Sequence, residues 1–239
     1  MSSLRFLDLK LPTAAENLAL DEALLLAAEA GEGSEVMRLW EWPRPVVVLG
    51  AGGRWREEVD VDACLRDGVP ILRRASGGGT VLLGRGCLVF TLVLRYDRAP
   101  ELAQVTSSYA WILTRVVRAL GLPGAAPAGT SDLAVGGRKF SGNSQQRKRD
   151  HLLHHGTLLY DFDLTAVGRY LRTPPKQPEY RQGRGHEEFL CNLDLPPEVL
   201  KHRLRQGWEA TDLLLTLPVL QVQHLMTEKY SVEAWARRR

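Results

Sequence analysis

The sequence predicts an α+β fold, a mixed, largely antiparallel sheet flanked by helices, in which each layer buries one face against the next. Three observations carry that expectation. One segment opens on a helix-capping signature and another repeats apolar residues at helical spacing, short β-branched or alternating runs lie around them, and one pair of runs is joined by two glycines of the kind a tight hairpin requires. The bulk composition agrees: 239 residues, 44% hydrophobic and 25% charged, with 22 Gly, 13 Pro and 3 Cys. These proportions exclude disordered, collagen-like and disulfide-scaffold classes.

Taken in order, Met1-Ser2-Ser3-Leu4-Arg5 leads into a mixed segment without the apolar core of a secretion signal. Thr13-Ala14-Ala15-Glu16 matches a capping box, so a helix is expected to run to about Ala30 and stop at Gly31. Val46-Val47-Val48-Leu49 reads as a short strand and Gly50-Ala51-Gly52-Gly53 as a simple turn. A dinucleotide fingerprint would need a small residue where Trp55 stands. Cys87 to Leu94 is apolar on both faces apart from Thr91 and reads as a central strand. Tyr109, Ile112, Leu113, Val116, Val117 and Leu120 form the stripe of a second helix, closed by Gly121 and Pro123. Leu133-Ala134-Val135, Gly136-Gly137 and Arg138-Lys139-Phe140 read as a hairpin, because paired glycines supply positive φ. Gly156 to Asp163 alternates as a strand, and the chain beyond Pro196 is expected to be helical. No repeat or linker divides the chain, so residues 1–239 are expected to form one domain, with 196–239 a helical segment packed on it.

No apolar run approaches the roughly 18 residues of a membrane span. Cys64, Cys87 and Cys191 suit a reducing compartment, and the expected location is cytoplasmic. A formal charge of +3 is too small to argue for nucleic acid. Basic density is local, at Arg147-Lys148-Arg149 and Arg237-Arg238-Arg239. Each of these reads as a solvated face or tail, or as a docking patch for an acidic partner.

Two blocks carry chemistry. In Arg73-Arg74-Ala75-Ser76-Gly77-Gly78-Gly79-Thr80-Val81, consecutive glycines let bare amides approach an anion, and the arginines add fixed charge. In Ser131-Asp132-Leu133 to Lys139-Phe140-Ser141-Gly142-Asn143, a lysine sits among small polar residues. Such a cation can neutralise a carboxylate and an α-phosphate together, although spacing alone leaves a solvent-facing strand lysine equally open. His151, His154 and His155 match no metal-ligand spacing, and the adjacent pair should face opposite sides of a strand.

In order along the chain, these blocks resemble the lipoate–protein ligase A family of the biotin/lipoate ligase superfamily. The likeness runs through Asn17-Leu18-Ala19-Leu20-Asp21-Glu22, Leu39-Trp40 with Val46-Val47-Val48-Leu49-Gly50, the arginine–triglycine loop, Asp132-Leu133 with Gly137-Arg138-Lys139-Phe140-Ser141-Gly142, and His154-His155-Gly156-Thr157-Leu158-Leu159. The resemblance implies the catalytic fold of those ligases, distantly that of class II tRNA synthetases. It also implies activation of lipoate or octanoate by ATP with Mg2+, then transfer to a lysine of a lipoyl carrier domain, either a 2-oxoacid dehydrogenase subunit or a glycine-cleavage H-type protein. Lys139 would be catalytic, holding the carboxylate and α-phosphate. Arg74, Gly79, Thr80, Val81 and Leu82 would lie along the nucleotide, with Asp132 on its adenine side or on Mg2+. The acyl substrate would meet Arg73, Ser76, Gly77, Gly78, Ser141, Gly142, His155 and Gly156, with His155 supporting the loop.

The chain departs from the family pattern in three places. Leu83-Gly84-Arg85-Gly86-Cys87 replaces the common His-Asp-x-Gly-Asn, Gly52-Gly53 replaces a Gln-Asn element, and only 49 residues follow Leu190, where long forms continue into an accessory domain. A short form is therefore expected to need a separate accessory protein or an acyl donor that is already activated. The latter is the alternative of a cysteine-dependent octanoyl/lipoyl transferase, with Cys87 or Cys191 as candidate nucleophile, since no cysteine stands near Gly124 where such transferases place it. A non-catalytic lipoyl-carrier or small-acid binding module is a third reading, opposed by the cations Arg73, Arg74 and Lys139.

Overall fold

The computed structural model describes residues 4–174 and 176–238. Of the segments singled out above, Met1 to Ser3 and Arg239 lie outside the described residues. The chain runs β1 (Arg5–Asp8), α1 (Ala14–Glu29), β2 (Val36–Glu41), β3 (Val46–Leu49), α2 (Trp55–Glu58), α3 (Val61–Asp67), β4 (Ile71–Arg73), β5 (Val81–Leu83), β6 (Cys87–Arg95) and α4 (Val105–Leu120). It continues through β7 (Ala125–Ala128), β8 (Asp132–Val135), β9 (Arg138–Arg147), β10 (His151–Leu159), α5 (Leu164–Tyr170), α6 (His186–Phe189), α7 (Pro197–Gly207), β11 (Asp212–Leu213), α8 (Val219–Leu225) and α9 (Glu233–Ala236).

The large sheet has the order β11-β1-β2-β6-β10-β9-β8-β7, and a small sheet has the order β4-β3-β5. In the large sheet β1 pairs in parallel with β2 and β11, and the other neighbours are antiparallel. The predicted class therefore holds. β6 sits between β2 and β10 and is buried from Cys87 to Leu94, as its apolar faces require. One face of the sheet is covered by α1, whose Leu20, Leu24 and Leu25 meet Val36, Val93 and Leu153. The other face is covered by α4 and α7, with Ile112, Leu113, Val116, Leu200 and Leu204 packed against Phe90, Leu92 and Leu94. Roughly 1.5–3 kcal/mol per buried large aliphatic side chain makes these two seams the main source of stability.

Local signals were accurate where they depended on neighbours in sequence. The capping box closes as predicted: Glu16 N donates to Thr13 Oγ1 at 3.1 Å, and Thr13 N donates to Glu16 Oε2 at 2.8 Å. Gly121 takes φ 58° at the end of α4, and Gly136 and Gly137 take φ 55° and 72° in the hairpin turn. Boundaries moved where both faces are buried. β9 extends to Arg147 and β10 begins at His151 rather than Gly156, because long buried pairings with β6 and β10 mask the alternation. The segment after Pro196 is not purely helical. It places β11 on the sheet edge beside β1, then packs α8 and the π-helical turn Met226–Tyr230 against α1.

Candidate functional site

Two adjoining cavities open where the small sheet faces the β8–β10 end of the large one. The smaller, about 130 Å³, is lined on its apolar side by Leu18, Trp40, Val48, Leu83 and Val89, and on its polar side by Arg74, Lys139, Asn143, Ser144 and His155. The larger, about 490 Å³, carries Leu159, Phe162, Val167, Leu171 and Phe189 on one side, and Arg172, Lys176, Arg181 and His186 on another. Gly78, Gly79, Thr80, Val81, Asp132, Lys139, Gly142 and Thr157 line both. Lys139 thus stands at the junction.

The hairpin that was legible in the sequence delivers Lys139 there through a bulge. Leu133 faces Ser141 and Ala134 faces Lys139, so Phe140 is the extra residue and buries fully in the core. A bulge of this kind re-aims the flanking side chains. Lys139 Nζ lies 2.7 Å from Asp132 Oδ1, while Tyr180 Oη donates to Asp132 Oδ2 at 2.8 Å. The lysine stem lies directly over Gly142, where a Cβ would stand 2.9 Å from Nζ. Glycine at 142 is what lets the ammonium reach the cavity floor.

The triglycine loop is held from beneath. Arg74 is buried, and its Nη2 donates to the carbonyls of Gly77 at 2.5 Å and Gly79 at 2.9 Å, its Nη1 to Val48 at 3.2 Å and its Nε to Ser76 Oγ at 3.0 Å. Burial pulls its pKa down to about 10, still well above neutral pH. The loop presses on the turn after β3 so closely that a Cβ on Gly50 would collide with the Gly78 carbonyl. Gly50→Ala is therefore expected to destabilise the protein by about 1–3 kcal/mol by forcing backbone apart. Thermal melting should register the shift.

Behind the smaller cavity, the register places Arg38, Thr91, His155 and Ser144 in one row across β2, β6, β10 and β9. Helix α1 lays Asn17 and Asp21, one turn apart, onto that row. Arg38 Nη1 donates to Asp21 Oδ1 and Nη2 to Asn17 Oδ1, each at 2.5 Å. Thr91 Oγ1 donates to Asp21 Oδ2 at 2.9 Å, and His155 Nδ1 lies 3.6 Å from the same oxygen. His155 Nε2 is 2.5 Å from Ser76 Oγ, which is 2.7 Å from Ser144 Oγ. The row thus ties α1, four strands and the glycine loop together, with His155 joined to the loop through Ser76. Burial works to raise the Asp21 pKa, but Arg38 and His155 outweigh it and hold the carboxyl below its ordinary range. His154 faces the opposite side of β10, stacked near Phe90 and Tyr109, and burial pushes its pKa down to about 3.

Several sequence expectations need correction. Arg73, expected at the acyl substrate, lines neither cavity. Adjacent strand residues face opposite ways, and Arg73 instead donates to the carbonyls of Gly50 and Gly53 at 2.8 Å and Ala236 at 2.9 Å, so that the C-terminal segment and the Gly50 turn are clamped together. Ser76 and Gly77 also line neither cavity; Ser76 is buried in the network and Gly77 offers its carbonyl to Arg74. Gly78, Gly79, Thr80, Val81, Asp132, Lys139 and Gly142 come together as predicted. His155 and Gly156 line the smaller cavity alone, and Leu82 and Ser141 the larger alone. Cys87 and Cys191 line neither cavity, and burial raises both thiols. That setting is inert for a nucleophile, which needs the thiolate. Arg147 is committed to the carbonyls of Leu102 and Ala103, and Arg238 to that of Ala51, so neither is a loose solvated cation.

Asp21, Arg38, Thr91, Tyr180, Arg181 and His186 were not foreseen as site residues. One usable signal was present: Arg38 interrupts the apolar run of β2, and Asp21 interrupts that of α1, which is how a buried pair reads in one dimension. Among the described residues no cluster of three metal-ligating side chains occurs, and no helix is long and apolar enough to cross a membrane.

The model of the lipoyl protein ligase A/B catalytic domain matches residues 13–201. "Octanoyltransferase LipM" of Carboxydothermus hydrogenoformans is 34% identical, covering 98% of this chain and 98% of that protein. "Probable lipoate-protein ligase A" of Mycoplasma pneumoniae is 31% identical over 91% of this chain and 65% of its own length. Among solved structures, a lipoate–protein ligase A bound with ATP superposes with a TM-score of 0.84 at 23% identity, covering 99% of each chain, which is a likeness of fold.

Proposed function

Because the chain belongs to the lipoyl protein ligase A/B catalytic domain family, we propose that it is an ATP-dependent acyl–protein ligase for lipoate or octanoate. The observation that carries this reading is Lys139, a cation at the junction of an apolar-sided cavity and a larger one suited to a nucleotide. The acyl chain lies among Leu18, Trp40, Val48 and Val89, with its carboxylate at Lys139. One carboxylate oxygen bonds to the α-phosphorus, the bond from that phosphorus to the bridging oxygen breaks, and pyrophosphate leaves with the electron pair. The carrier lysine, as its neutral amine, then attacks the acyl carbonyl, the acyl–oxygen bond breaks with its electron pair leaving on AMP, and the amine's proton is released to solvent. Lys139 neutralises the charge that develops on the oxygens in both steps, and positioning supplies the rest.

Magnesium travels with ATP, since it binds through one or two carboxylates plus phosphate oxygens rather than in an all-protein cage. Asp132 is the carboxylate at the junction and would hold it. The acceptor is a lysine on a lipoyl carrier domain.

The likeness to an octanoyltransferase over nearly the whole chain favours a second reading, transfer from an activated acyl carrier. Through a cysteine intermediate that reaction needs a thiol in the site, and among the described residues no cysteine lines either cavity. Apo carrier domain incubated with lipoate, ATP and Mg2+, or with octanoyl carrier protein alone, separates the two. Acylation is expected with the first mixture. Cys87→Ala and Cys191→Ala should retain activity within about twofold, because each thiol is only a small buried apolar group. An acyl-cysteine adduct in the mass spectrum would hand the case to the transferase.

A further inference from the structure

The buried row behind the smaller cavity ends in a hydroxyl that the reading above leaves unused. Ser144 is 4% exposed and shares the polar side of that cavity with Lys139 and His155. Its Oγ is 2.7 Å from Ser76 Oγ, which is 2.5 Å from His155 Nε2, and His155 Nδ1 faces Asp21 Oδ2 at 3.6 Å.

The direction of this chain of groups follows from its far end. Arg38 and His155 keep the Asp21 carboxyl ionised, and an ionised carboxylate only accepts. His155 Nδ1 therefore carries the imidazole proton, Nε2 accepts from Ser76, and Ser76 accepts from Ser144. Every donor points from the cavity toward Asp21. Arg74 Nε, 3.0 Å from Ser76 Oγ and 3.3 Å from Ser144 Oγ, adds a fixed positive charge that favours an alkoxide. A hydroxyl, an imidazole and a carboxylate in these roles activate a serine nucleophile, whatever their order in the chain. The longer Asp21–His155 separation is usual in an unliganded site. Gly78 and Gly79 line the same cavity, and a Cβ on Gly78 would stand 3.4 Å from Ser144 Cβ. Loop backbone and the Lys139 cation thus adjoin the place where an oxyanion would form.

We propose that Ser144 is an acyl-accepting nucleophile, with Ser76, His155 and Asp21 as its proton relay, and that the protein transfers acyl groups from activated esters and thioesters without ATP. The proposal shares the acyl cavity of the ligase reading but not its nucleotide step. Ser144 Oγ bonds to the thioester carbonyl carbon, its proton passes to Ser76, and the Ser76 proton passes to His155 Nε2. The carbon–sulfur bond then breaks, and sulfur leaves with the electron pair and takes up the proton that His155 returns. A neutral lysine amine of the carrier attacks the seryl ester next. The carbon–oxygen bond breaks, and Ser144 Oγ leaves with its electron pair and recovers a proton from the amine.

The test is incubation of the intact protein with 4-nitrophenyl octanoate and no nucleotide, reading nitrophenolate release and the mass of the protein and its peptides. The wild type is expected to show a burst and an octanoyl adduct, which fragmentation places on Ser144 rather than Ser141. Added apo carrier domain should discharge that adduct onto its lysine. Ser144→Ala should form none, and Ser76→Ala and His155→Gln should acylate about 10²–10⁴-fold more slowly, each checked by thermal melting. Ser144→Cys keeps the test decisive if those variants fold poorly. It should form a thioester cleaved by neutral hydroxylamine, and adding His155→Gln should slow it far less than it slows the serine protein, because a thiol ionises nearer neutral pH. A His155 that only braced the loop would slow both alike. No adduct on the wild type, an adduct elsewhere, or equal acylation of Ser144→Ala overturns the nucleophile. Acid-dependent ATP–pyrophosphate exchange reads the ligase reading separately. A Ser144 adduct without exchange keeps the nucleophile and removes the ligase, and exchange without an adduct does the reverse.

Discussion

Lys139→Ala is expected to lower acyl-adenylate formation by about 10²–10³-fold while leaving the fold intact. The side chain is 24% exposed and lies over Gly142 rather than in either hydrophobic seam, so its removal opens no core cavity. What disappears is the cation at the point where both cavities meet. Asp132 keeps its hydrogen bond from Tyr180, so the hairpin retains one anchor. Lys139→Arg should not restore activity. A planar guanidinium needs more width than the ammonium, which already sits 2.9 Å from where a Cβ at position 142 would be. Single-turnover measurement of acyl-adenylate, beside a melting curve, checks the prediction. Wild-type turnover in the alanine variant would remove the proposed reaction.

Arg38→Met should destabilise the protein by about 3–5 kcal/mol, because it strands the Asp21 carboxylate in the core. Both side chains are almost wholly buried, at 0% and 2% exposure, and are joined at 2.5 Å. Asp21 would keep Thr91 and the longer contacts to Trp40 and His155, but no full cation. The double variant Asp21→Asn/Arg38→Met should recover a large part of the loss, since it removes the uncompensated charge along with its partner. Urea unfolding of the single and double variants measures both. The same pair makes stability depend on pH. The Asp21 carboxyl is held below its ordinary 3.8 in the folded protein. Its contribution is present above the unfolded value and is lost as pH falls below about 4 through the depressed folded one. That acid-limb loss should be absent in the double variant.

Much of the fold was legible because its signals are local. The Thr13–Glu16 cap, the Gly136–Gly137 turn and the apolar stripe of α4 each concern residues a few positions apart. Strand ends were less legible where both faces are buried, as at His151 to His155, since burial on both sides erases alternation. The site was readable as two motifs, yet not every residue in them lines the cavities. Arg73 and Arg74 look equivalent in the sequence. In the structure Arg74 braces the glycine loop at the cavity, while Arg73 turns to the C-terminal carbonyls.

The sequence by itself determined the class of fold, the hairpin that carries Lys139, the glycine loop and, through the order of these motifs, the family. Those features follow from backbone freedom, periodicity and short spacing, which a one-dimensional string preserves. Only the tertiary structure decided which arginine reaches the cavity, that Asp21, Arg38, Thr91 and His155 share one buried row, and that Arg181 and His186 line the larger cavity with Lys139. These facts depend on strand register and on which faces pack together. Burial then acts on the residues so assembled, strengthening the paired charges and making an unpaired one costly.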